Sequence, residues 1–131
     1  MEQSKLVLHY ADGTMGAGLA EPFPDGTEQL RVVTLEGRPL EVALKDLKAA
    51  FFVKTFSGNP GYERGEHFER LRAHTTGRFV RIAFADGEIL VGEVSREADL
   101  SHGFFLKVLD PNDNNVMVYI NPASLLRPPE E

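Results

Sequence analysis

The sequence has no cysteine, and none of its apolar runs is long enough to cross a bilayer. The missing cysteines exclude disulfides and thiolate metal sites. A membrane-spanning helix needs about 20 predominantly apolar residues, and residues 1–4 do not open a signal peptide. We therefore expect a soluble, cytoplasmic protein that has no membrane partner.

Basic residues are also scarce. Fourteen lysines and arginines face twenty aspartates and glutamates, which gives a formal net charge of −6. An acidic chain is repelled by phosphate backbones, so nucleic acid is not the default partner. The four histidines are scattered without a His-Glu-x-x-His pattern, and neither a glycine-rich phosphate loop nor a Gly-x-Ser-x-Gly motif is present. We expect no enzyme activity, no metal site and no cofactor.

The clearest positive signal is the stretch 77–95, GRFVRIAFADGEILVGEVS. Apolar residues alternate on both sides of the pair Asp86-Gly87. An Asp-Gly pair between two alternating runs predicts a β-hairpin with a two-residue turn, in which both turn positions take a positive φ. The same pattern occurs 74 residues earlier, where Asp12-Gly13 interrupts the run 6–19.

The match continues beyond the two hairpins. Leu30 aligns with Phe104 at the same offset of 74 residues. The alternating apolar run 40–44 aligns with the run 116–120 at an offset of 76, which places a two-residue insertion in the polar turn 110–115. Strands that match across a length change at a turn are typical of a duplicated unit.

These patterns predict an all-β fold of two tandem, small Sm/SH3-like five-stranded bent sheets packed together, with little helix. The expected organisation is a first Sm-like unit at 1–56, a linker with a short helix at 57–76, a second unit at 77–127 and a frayed tail at 128–131. A unit of about 50 residues is marginal alone, so we expect the fifth strand of one unit to pair with an edge of the other.

Four segments carry a resemblance to a known group of proteins: 47–54 (LKAAFFVK), 84–88 (FADGE), 103–106 (GFFL) and the pair 114–115. In this order they resemble an uncharacterised bacterial domain family, whose members occur alone or beside signalling domains. The order of the strands also resembles the Sm-like fold. The resemblance implies a bacterial origin but no assigned activity. The residues with which Sm proteins hold RNA bases have no counterpart here, which argues against RNA binding.

The run 49–56 has large apolar side chains on both of its faces. This pattern favours a central strand buried between the two units. The alternative is an exposed edge or patch that takes a partner strand. For that alternative, the candidate protein-binding residues in the run and in the loop after it are Phe51, Phe52, Phe56, Asn59 and Tyr62.

The most basic stretch of the chain lies between residues 64 and 81. Interleaved glutamates favour a solvated, salt-bridged segment. The turn 99–103, which follows these arginines, resembles the PilZ pattern for cyclic di-GMP, although the spacing differs. An RNA or cyclic-dinucleotide site in this stretch would use Arg70, Arg72, Arg78 and Arg81.

The polar turn 110–115 has oxygen-bearing side chains at alternate positions, as a calcium loop has. Asn115 stands where such a loop needs glycine, and Asn121 stands where it needs a bidentate glutamate. We interpret the segment as a turn in which Asp and Asn side chains bond their own backbone.

Taken together, the sequence favours a non-enzymatic protein-interaction or regulatory adaptor in a bacterial cytoplasm, with a role in signalling. Its partner would be another protein, and the chain itself would be a monomer or a homodimer. Two alternatives stay open. One is nucleotide or RNA binding by the segment 70–81, and the other is a purely structural oligomer joined through edge strands.

Overall fold

The computed structural model describes residues 3–21, 23, 26–58 and 77–131. In these ranges the chain forms nine strands and two short 3-10 helices, which confirms the expected all-β class with little helix. No helix in the described ranges is long and apolar enough to cross a membrane. The strands are β1 (Ser4–Tyr10), β2 (Met15–Ala20), β3 (Gln29–Thr34), β4 (Pro39–Ala43), β5 (Leu47–Val53), β6 (Arg78–Ala83), β7 (Ile89–Val94), β8 (Phe104–Lys107) and β9 (Asn115–Ile120), and the 3-10 helices are Leu44–Asp46 and Pro122–Ser124.

All nine strands lie in one antiparallel sheet, in the order β4-β3-β2-β1-β5-β9-β8-β7-β6. This single sheet replaces the two five-stranded sheets expected from the sequence. The reason is that β5 pairs with β1 on one side and with β9 on the other, so hydrogen bonding runs without a break. We call β1 to β5 the first half of the sheet, and β6 to β9 with the residues that follow them the second half.

β5 has two buried faces because it lies between two hydrophobic cores. Ala50 and Phe52 belong to the first core, while Ala49 and Phe51 belong to the second. The interpretation of the run 49–56 as a central strand is thus confirmed for residues 49–53, while residues 54–56 lie beyond the end of β5. The other buried members of the first core are Leu6, Leu8, Ala20, Leu30, Val32, Val42, Leu44 and Leu47, and those of the second are Val80, Ile82, Phe84, Leu90, Val94, Phe104, Leu106, Val118 and Ile120.

The β1–β2 and β6–β7 turns have the same geometry. In each, the glycine is left-handed, with φ of +92° at Gly13 and +97° at Gly87, and no residue other than glycine has a positive φ in the described ranges. Each glycine N–H donates to the carbonyl three residues earlier. The turns are therefore three-residue Ala-Asp-Gly loops, and the prediction of positive φ at both Asp and Gly is wrong at Asp12 and Asp86. A type I turn followed by a left-handed glycine meets the twist of a hairpin equally well.

The pairing of the third and fourth strands corrects the alignment of the two halves. Leu30 pairs with Val42, and Phe104 pairs with Ile120. Val42 therefore corresponds to Ile120 at an offset of 78, and the insertion between the third and fourth strands has four residues. The sequence predicted an offset of 76, which would match Val42 with Val118. A shift of two residues keeps every side chain on the same face, so alternation alone cannot detect it.

The 3-10 helices that follow β4 and β9 hold equivalent turns. The Asp46 carbonyl accepts a hydrogen bond of 2.9 Å from the Ala11 N–H, and the Ser124 carbonyl accepts one of 2.9 Å from the Ala85 N–H. The donors differ by 74 residues and the acceptors by 78. The offset of 78 found in the fourth strands therefore continues through the helices.

The last residues lie along β6. Leu125 bridges Phe84, and Glu130 exchanges two backbone hydrogen bonds of 2.7 and 3.0 Å with Arg81. The tail 128–131, expected to fray, is thus held against the sheet. It covers the outer edge of β6, whereas β4, at the opposite end of the strand order, has no such cover among the described residues.

Candidate functional site

The free edge of β4 presents backbone groups that pair with no strand in the described ranges. Leu44 N–H donates to the Glu28 carbonyl at 3.0 Å, which fixes the phase of the β3–β4 ladder. In an antiparallel ladder, successive residues bond to opposite sides. Glu41 and Ala43 therefore direct their N–H and C=O groups away from β3. Pro39 points the same way but has no N–H to donate.

The corresponding edge of β9 is occupied by β5. At an offset of 78, Glu41 corresponds to Tyr119 and Ala43 to Asn121. Tyr119 lies opposite a residue of β5, and the Asn121 N–H donates to the Lys48 carbonyl at 3.2 Å. Among the described residues, the same edge is thus filled in the second half and left without a neighbouring strand in the first.

This difference changes the burial of the side chains beside the edge. Val118 of β9 is fully buried, with Phe51 of β5 directly opposite it. Leu40 occupies the corresponding place in β4 and is 41% exposed. Both side chains point to the core face of their strands, and the described residues place a strand beside Val118 but none beside Leu40. We call the backbone of β4 together with Leu40 the β4 edge.

The outer face of the β4 edge carries an ion pair. The Arg31 guanidinium contacts the Glu41 carboxylate at 3.1 Å, and their side chains are 75% and 57% exposed. An ion pair exposed to this degree contributes about 0 to 1 kcal/mol to stability. It balances the only charge on β4, which leaves the edge neutral.

A groove of about 580 Å³ continues from the end of the β4 edge. Gln29, Ala43 and Lys45 line one wall, and His102, Tyr119 and Asn121 line the other. The groove runs between the open strand of the first half and the start of β8 in the second. An extended segment laid along β4 would reach it near Ala43.

A second feature joins the two halves at the end of β5. The Lys48 ammonium contacts the Asp86 carboxylate at 2.6 Å and the Glu88 carboxylate at 2.5 Å, and it lies 4.5 Å from the centre of the Phe84 ring. The Lys48 side chain is only 13% exposed. His9 borders this ion cluster, and its ring lies 4.6 Å from the Phe51 ring. The cluster fastens the β6–β7 turn onto β5.

The ion cluster shifts the pKa values of its members. Burial lowers the pKa of Lys48, but hydrogen bonds from its ammonium to Asp86 and Glu88 outweigh this and raise it. The Lys48 hydrogen bond lowers the pKa of Asp86, helped by the backbone N–H of Glu88. Burial, followed by the nearby Lys48 charge, lowers the pKa of His9. Lys48 therefore serves as a buried counter-ion, which suits fastening better than proton transfer.

The structure describes three of the five predicted protein-binding residues. Phe51 and Phe52 are 4% and 7% exposed and fill the two cores, so neither ring presents a surface to a partner in this conformation. Phe56 is half-buried and lies in a turn beyond the end of β5. Asn59 and Tyr62 lie outside the described residues.

Of the four predicted nucleotide-binding arginines, the structure describes two. Arg78 is held by the Glu131 carboxylate at 2.8 Å and by the Ala98 carbonyl at 2.9 Å. Arg81 lies in β6, paired through its backbone with the tail. The two remaining residues, Arg70 and Arg72, lie outside the described residues. The structure therefore brings no pair of these arginines together in the part that it describes.

The polar turn after β8 bonds its own backbone. The Asp110 carboxylate accepts from the Asn112 N–H at 2.9 Å, and the Asp113 carboxylate accepts from the Asn115 N–H at 2.9 Å. Both aspartates are buried. This confirms the interpretation of the segment as a turn. Among the described residues, no three histidine or carboxylate side chains gather as metal ligands do.

The sequence interpretation missed both the β4 edge and Lys48. An edge strand is defined by the absence of a neighbouring strand, which a local sequence pattern does not report. The only local indication that β4 is an edge strand is Pro39 at its start, because proline is tolerated in edge strands. For Lys48 the signal was a lone lysine beside the apolar run 49–53, which indicates a charge that needs a partner when buried.

Comparison with known proteins places the chain in a family. A model for a family of unknown function, DUF6982, matches residues 2–127. The chain belongs to this family. No curated protein and no solved structure matches it. Membership in DUF6982 agrees with the resemblance to an uncharacterised family, and it assigns no activity.

Proposed function

We propose that this DUF6982 chain is a non-enzymatic interaction module, which binds an extended segment of another protein as an added strand along the β4 edge. Strand addition of this kind obtains affinity from main-chain hydrogen bonds and specificity from the side chains beside them. In this role the chain is a regulatory adaptor in a bacterial cytoplasm, acting in a signalling pathway.

The observation that carries the proposal is the contrast between Leu40 and Val118. The two residues occupy the same place in their strands, yet Leu40 is 41% exposed and Val118 is fully buried. Val118 shows what this position becomes once a strand is added. Burying an exposed apolar surface contributes about 25 cal/mol per Å² to binding, before the cost of association is subtracted.

The absence of strong edge protection supports the same proposal. Natural edge strands avoid unwanted pairing with lysines, bulges, prolines or a covering segment. The outer strand β6 is covered by the tail. β4 has Pro39 at its first position, and its only charge is the glutamate paired with Arg31. The part of β4 that could pair, from Leu40 to Ala43, is left accessible.

A related proposal concerns the origin of the two halves of the sheet. We propose that the two halves are duplicated Sm/SH3-like units. Their glycine turns match at an offset of 74, and their fourth strands and 3-10 helices match at 78. On this basis β5 is the closing strand of the first unit, used to complete the second.

Affinity capture with a backbone-blocking variant tests the proposal. Ala43 has φ of −79°, which proline adopts without strain, and its N–H points away from β3. Ala43→Pro therefore removes a donor from the β4 edge and leaves the fold intact, while Ala43→Ser keeps the donor and is the matched control. Immobilised wild-type chain and both variants are exposed to bacterial lysate with and without nuclease treatment.

We expect to capture from the lysate a protein that binds the wild-type chain and the Ala43→Ser variant but does not bind the Ala43→Pro variant. With the purified partner bound, hydrogen–deuterium exchange at the Glu41 and Ala43 amides should slow by at least about tenfold, as it does when an exposed amide becomes protected. Equal retention by Ala43→Pro, or unchanged exchange at these amides, would overturn the proposal. Loss of the captured partners on nuclease treatment would overturn the proposal and favour nucleotide or RNA binding by the segment 70–81.

A further inference from the structure

We infer that the segment bound along β4 resembles β5: it runs antiparallel to β4, places a large apolar side chain opposite Leu40, and has a small residue two positions before it, opposite Val42. This inference rests on the proposed strand addition and names the chemistry of the partner. It comes from the β5–β9 pairing, in which the chain already contains an occupied copy of the edge.

The template fixes which residue of the segment meets which residue of β4. In the second half, Phe51 lies opposite Val118 and Ala49 lies opposite Ile120. At the offset of 78, Val118 corresponds to Leu40 and Ile120 to Val42. A segment laid on β4 in the same way therefore faces Leu40 with the counterpart of Phe51 and Val42 with the counterpart of Ala49.

Burial around each position sets the size of the facing side chain. Leu40 is 41% exposed, so an apolar ring opposite it would cover a surface that is now in water. Val42 is only 2% exposed, and its counterpart Ile120 faces an alanine that is itself fully buried. A large residue opposite Val42 would find its space filled by the first core and would have to push the strands apart.

On the outer face of the β4 edge, the bound segment does not need a charged side chain. The residue opposite Glu41 is the counterpart of Ala50, which lies opposite Tyr119 in the template. Glu41 is already paired with Arg31 at 3.1 Å. The selectivity of the β4 edge thus lies on the core face, in the alternation of a small and a large apolar residue.

The tail of a second copy of the chain does not fit this description. At the offset of 78, the residues that correspond to Ala49, Ala50 and Phe51 are Arg127, Pro128 and Pro129. Pro128, at the position of Ala50, has no N–H to donate to β4, and the arginine is too large to face Val42. A segment from another protein is therefore the occupant that matches the template.

The chain's own β5 sequence provides the first probe. A fluorescent, acetylated and amidated peptide of residues 46–54, DLKAAFFVK, is titrated into the full-length chain and followed by anisotropy. Three substituted peptides accompany it. Phe51→Ala removes the residue that would face Leu40, Ala49→Phe enlarges the one that would face Val42, and Phe52→Ala changes a residue on the outer face.

We expect the Phe51→Ala and Ala49→Phe peptides to bind at least about tenfold more weakly than the parent, because one loses apolar burial and the other overfills the site. Phe52→Ala should change the affinity less than about threefold, because its counterpart faces solvent beside Pro39. In the chain, Ala43→Pro should abolish binding of the parent peptide and Ala43→Ser should preserve it.

Two results with the peptides would overturn the inference, and a third with the Ala43→Pro chain would do the same. One is that no peptide of the set binds, and the other is that Phe51→Ala or Ala49→Phe binds as well as the parent. Neither result touches strand addition itself, which is judged by the captured protein and the exchange of the Glu41 and Ala43 amides. Parent binding that survives Ala43→Pro places the peptide elsewhere on the chain and also overturns the inference.

Discussion

The two halves of the sheet build the same hairpin but complete their fourth strands differently. β9 is covered by β5, and Val118 is fully buried, whereas β4 has no neighbour beyond β3 in the described ranges and Leu40 is 41% exposed. In sequence β5 belongs to the first half, yet it supplies Phe51 to the core of the second. The second half is thus completed by a strand of the first, and no strand of the described residues completes β4 in the same way.

The Asp-Gly turns show the same asymmetry in their charges. The Asp86 carboxylate contacts Lys48 at 2.6 Å. The Asp12 carboxylate accepts hydrogen bonds from the N–H and the hydroxyl of Thr14 within its own turn. One aspartate ties its turn to another strand, and the other aspartate bonds within its own turn. Substitutions at matched positions can therefore separate what each half contributes.

The largest effect is expected at β5, because both cores depend on it. Truncating a buried phenylalanine to alanine costs about 3 to 5 kcal/mol. We expect losses of this size from both Phe51→Ala and Phe52→Ala, although the rings lie in different cores. Guanidinium denaturation followed by circular dichroism measures the loss, with the exposed Leu126→Ala as the control.

A single unfolding transition in both variants would show that the two halves fold as one cooperative unit. Two transitions, with only one of them shifted by each variant, would show that the cores are independent. A loss below about 1 kcal/mol for either ring would contradict its place in a core.

The next effect tests the contrast between the fourth strands directly. Val118→Ala removes buried methyl groups and leaves a cavity, for an expected loss of about 2 to 3 kcal/mol. Leu40→Ala removes a larger but partly exposed side chain, and we expect a loss of about 1 kcal/mol or less. The same denaturation experiment compares the two. Equal losses would contradict the open edge, because they would require Leu40 to be covered.

The glycines of β2 and β7 test a feature that the halves share. A Cβ at Gly18 would lie 2.5 Å from the Val33 carbonyl oxygen, and one at Gly92 would collide with the Lys107 carbonyl oxygen. Forcing atoms into such contacts costs about 1 to 3 kcal/mol. We expect both Gly18→Ala and Gly92→Ala to lose stability in this range.

Gly16→Ala is the matched control for this pair. A Cβ there would meet nothing closer than the Tyr10 ring at 3.7 Å, which is an ordinary contact. We expect its denaturation midpoint to stay within about 0.5 kcal/mol of wild type. If all three alanine variants behave alike, close packing of the third strands is not what requires glycine at 18 and 92.

The sequence predicted those features that depend on local patterns. Alternation and the Asp-Gly pairs predicted the β class and both hairpins. The two apolar faces of the run 49–56 predicted a buried central strand, which the structure shows as far as residue 53. The offset of 78 escaped because a two-residue shift preserves the alternation of Leu40 and Val42. The single continuous sheet was not predicted, because two apolar faces do not reveal which strands lie beside β5.

The candidate site was the least predictable part. In the proposed site, Glu41 and Ala43 would act through backbone groups that face no strand in the described part of the chain, and side-chain chemistry does not report a missing strand. Large apolar residues attracted attention to Phe51 and Phe52, which turned out to be the residues that fill the occupied copy of the edge. The apolar residues of β5 are informative only as a model for a segment that would bind β4. Using them in this way requires knowledge of how β5 pairs with β9.

The smallest expected effect on stability concerns the charge of Lys48, which contacts the β6–β7 turn but not the β1–β2 turn. The Lys48 hydrogen bond lowers the pKa of Asp86, so this carboxylate contributes stability that is present above its unfolded pKa and is lost as pH falls through its folded value. The raised pKa of Lys48 contributes stability that is present below its unfolded pKa and is lost as pH rises through its folded value. Lys48→Met should therefore flatten both the acid and the alkaline limbs of the stability profile.

The expected size at neutral pH is about 1 kcal/mol, because the Asp86 side chain is 55% exposed and solvent screens the pair. Asp12 has its pKa lowered by Thr14, so its share of the acid limb should survive in Lys48→Met. His9 supplies an independent readout. Burial and then the Lys48 charge lower its pKa, so its titration in proton NMR should move upward in Lys48→Met. An unchanged His9 titration would mean that Lys48 does not occupy the junction in solution, and the two Asp-Gly turns would then be equivalent after all.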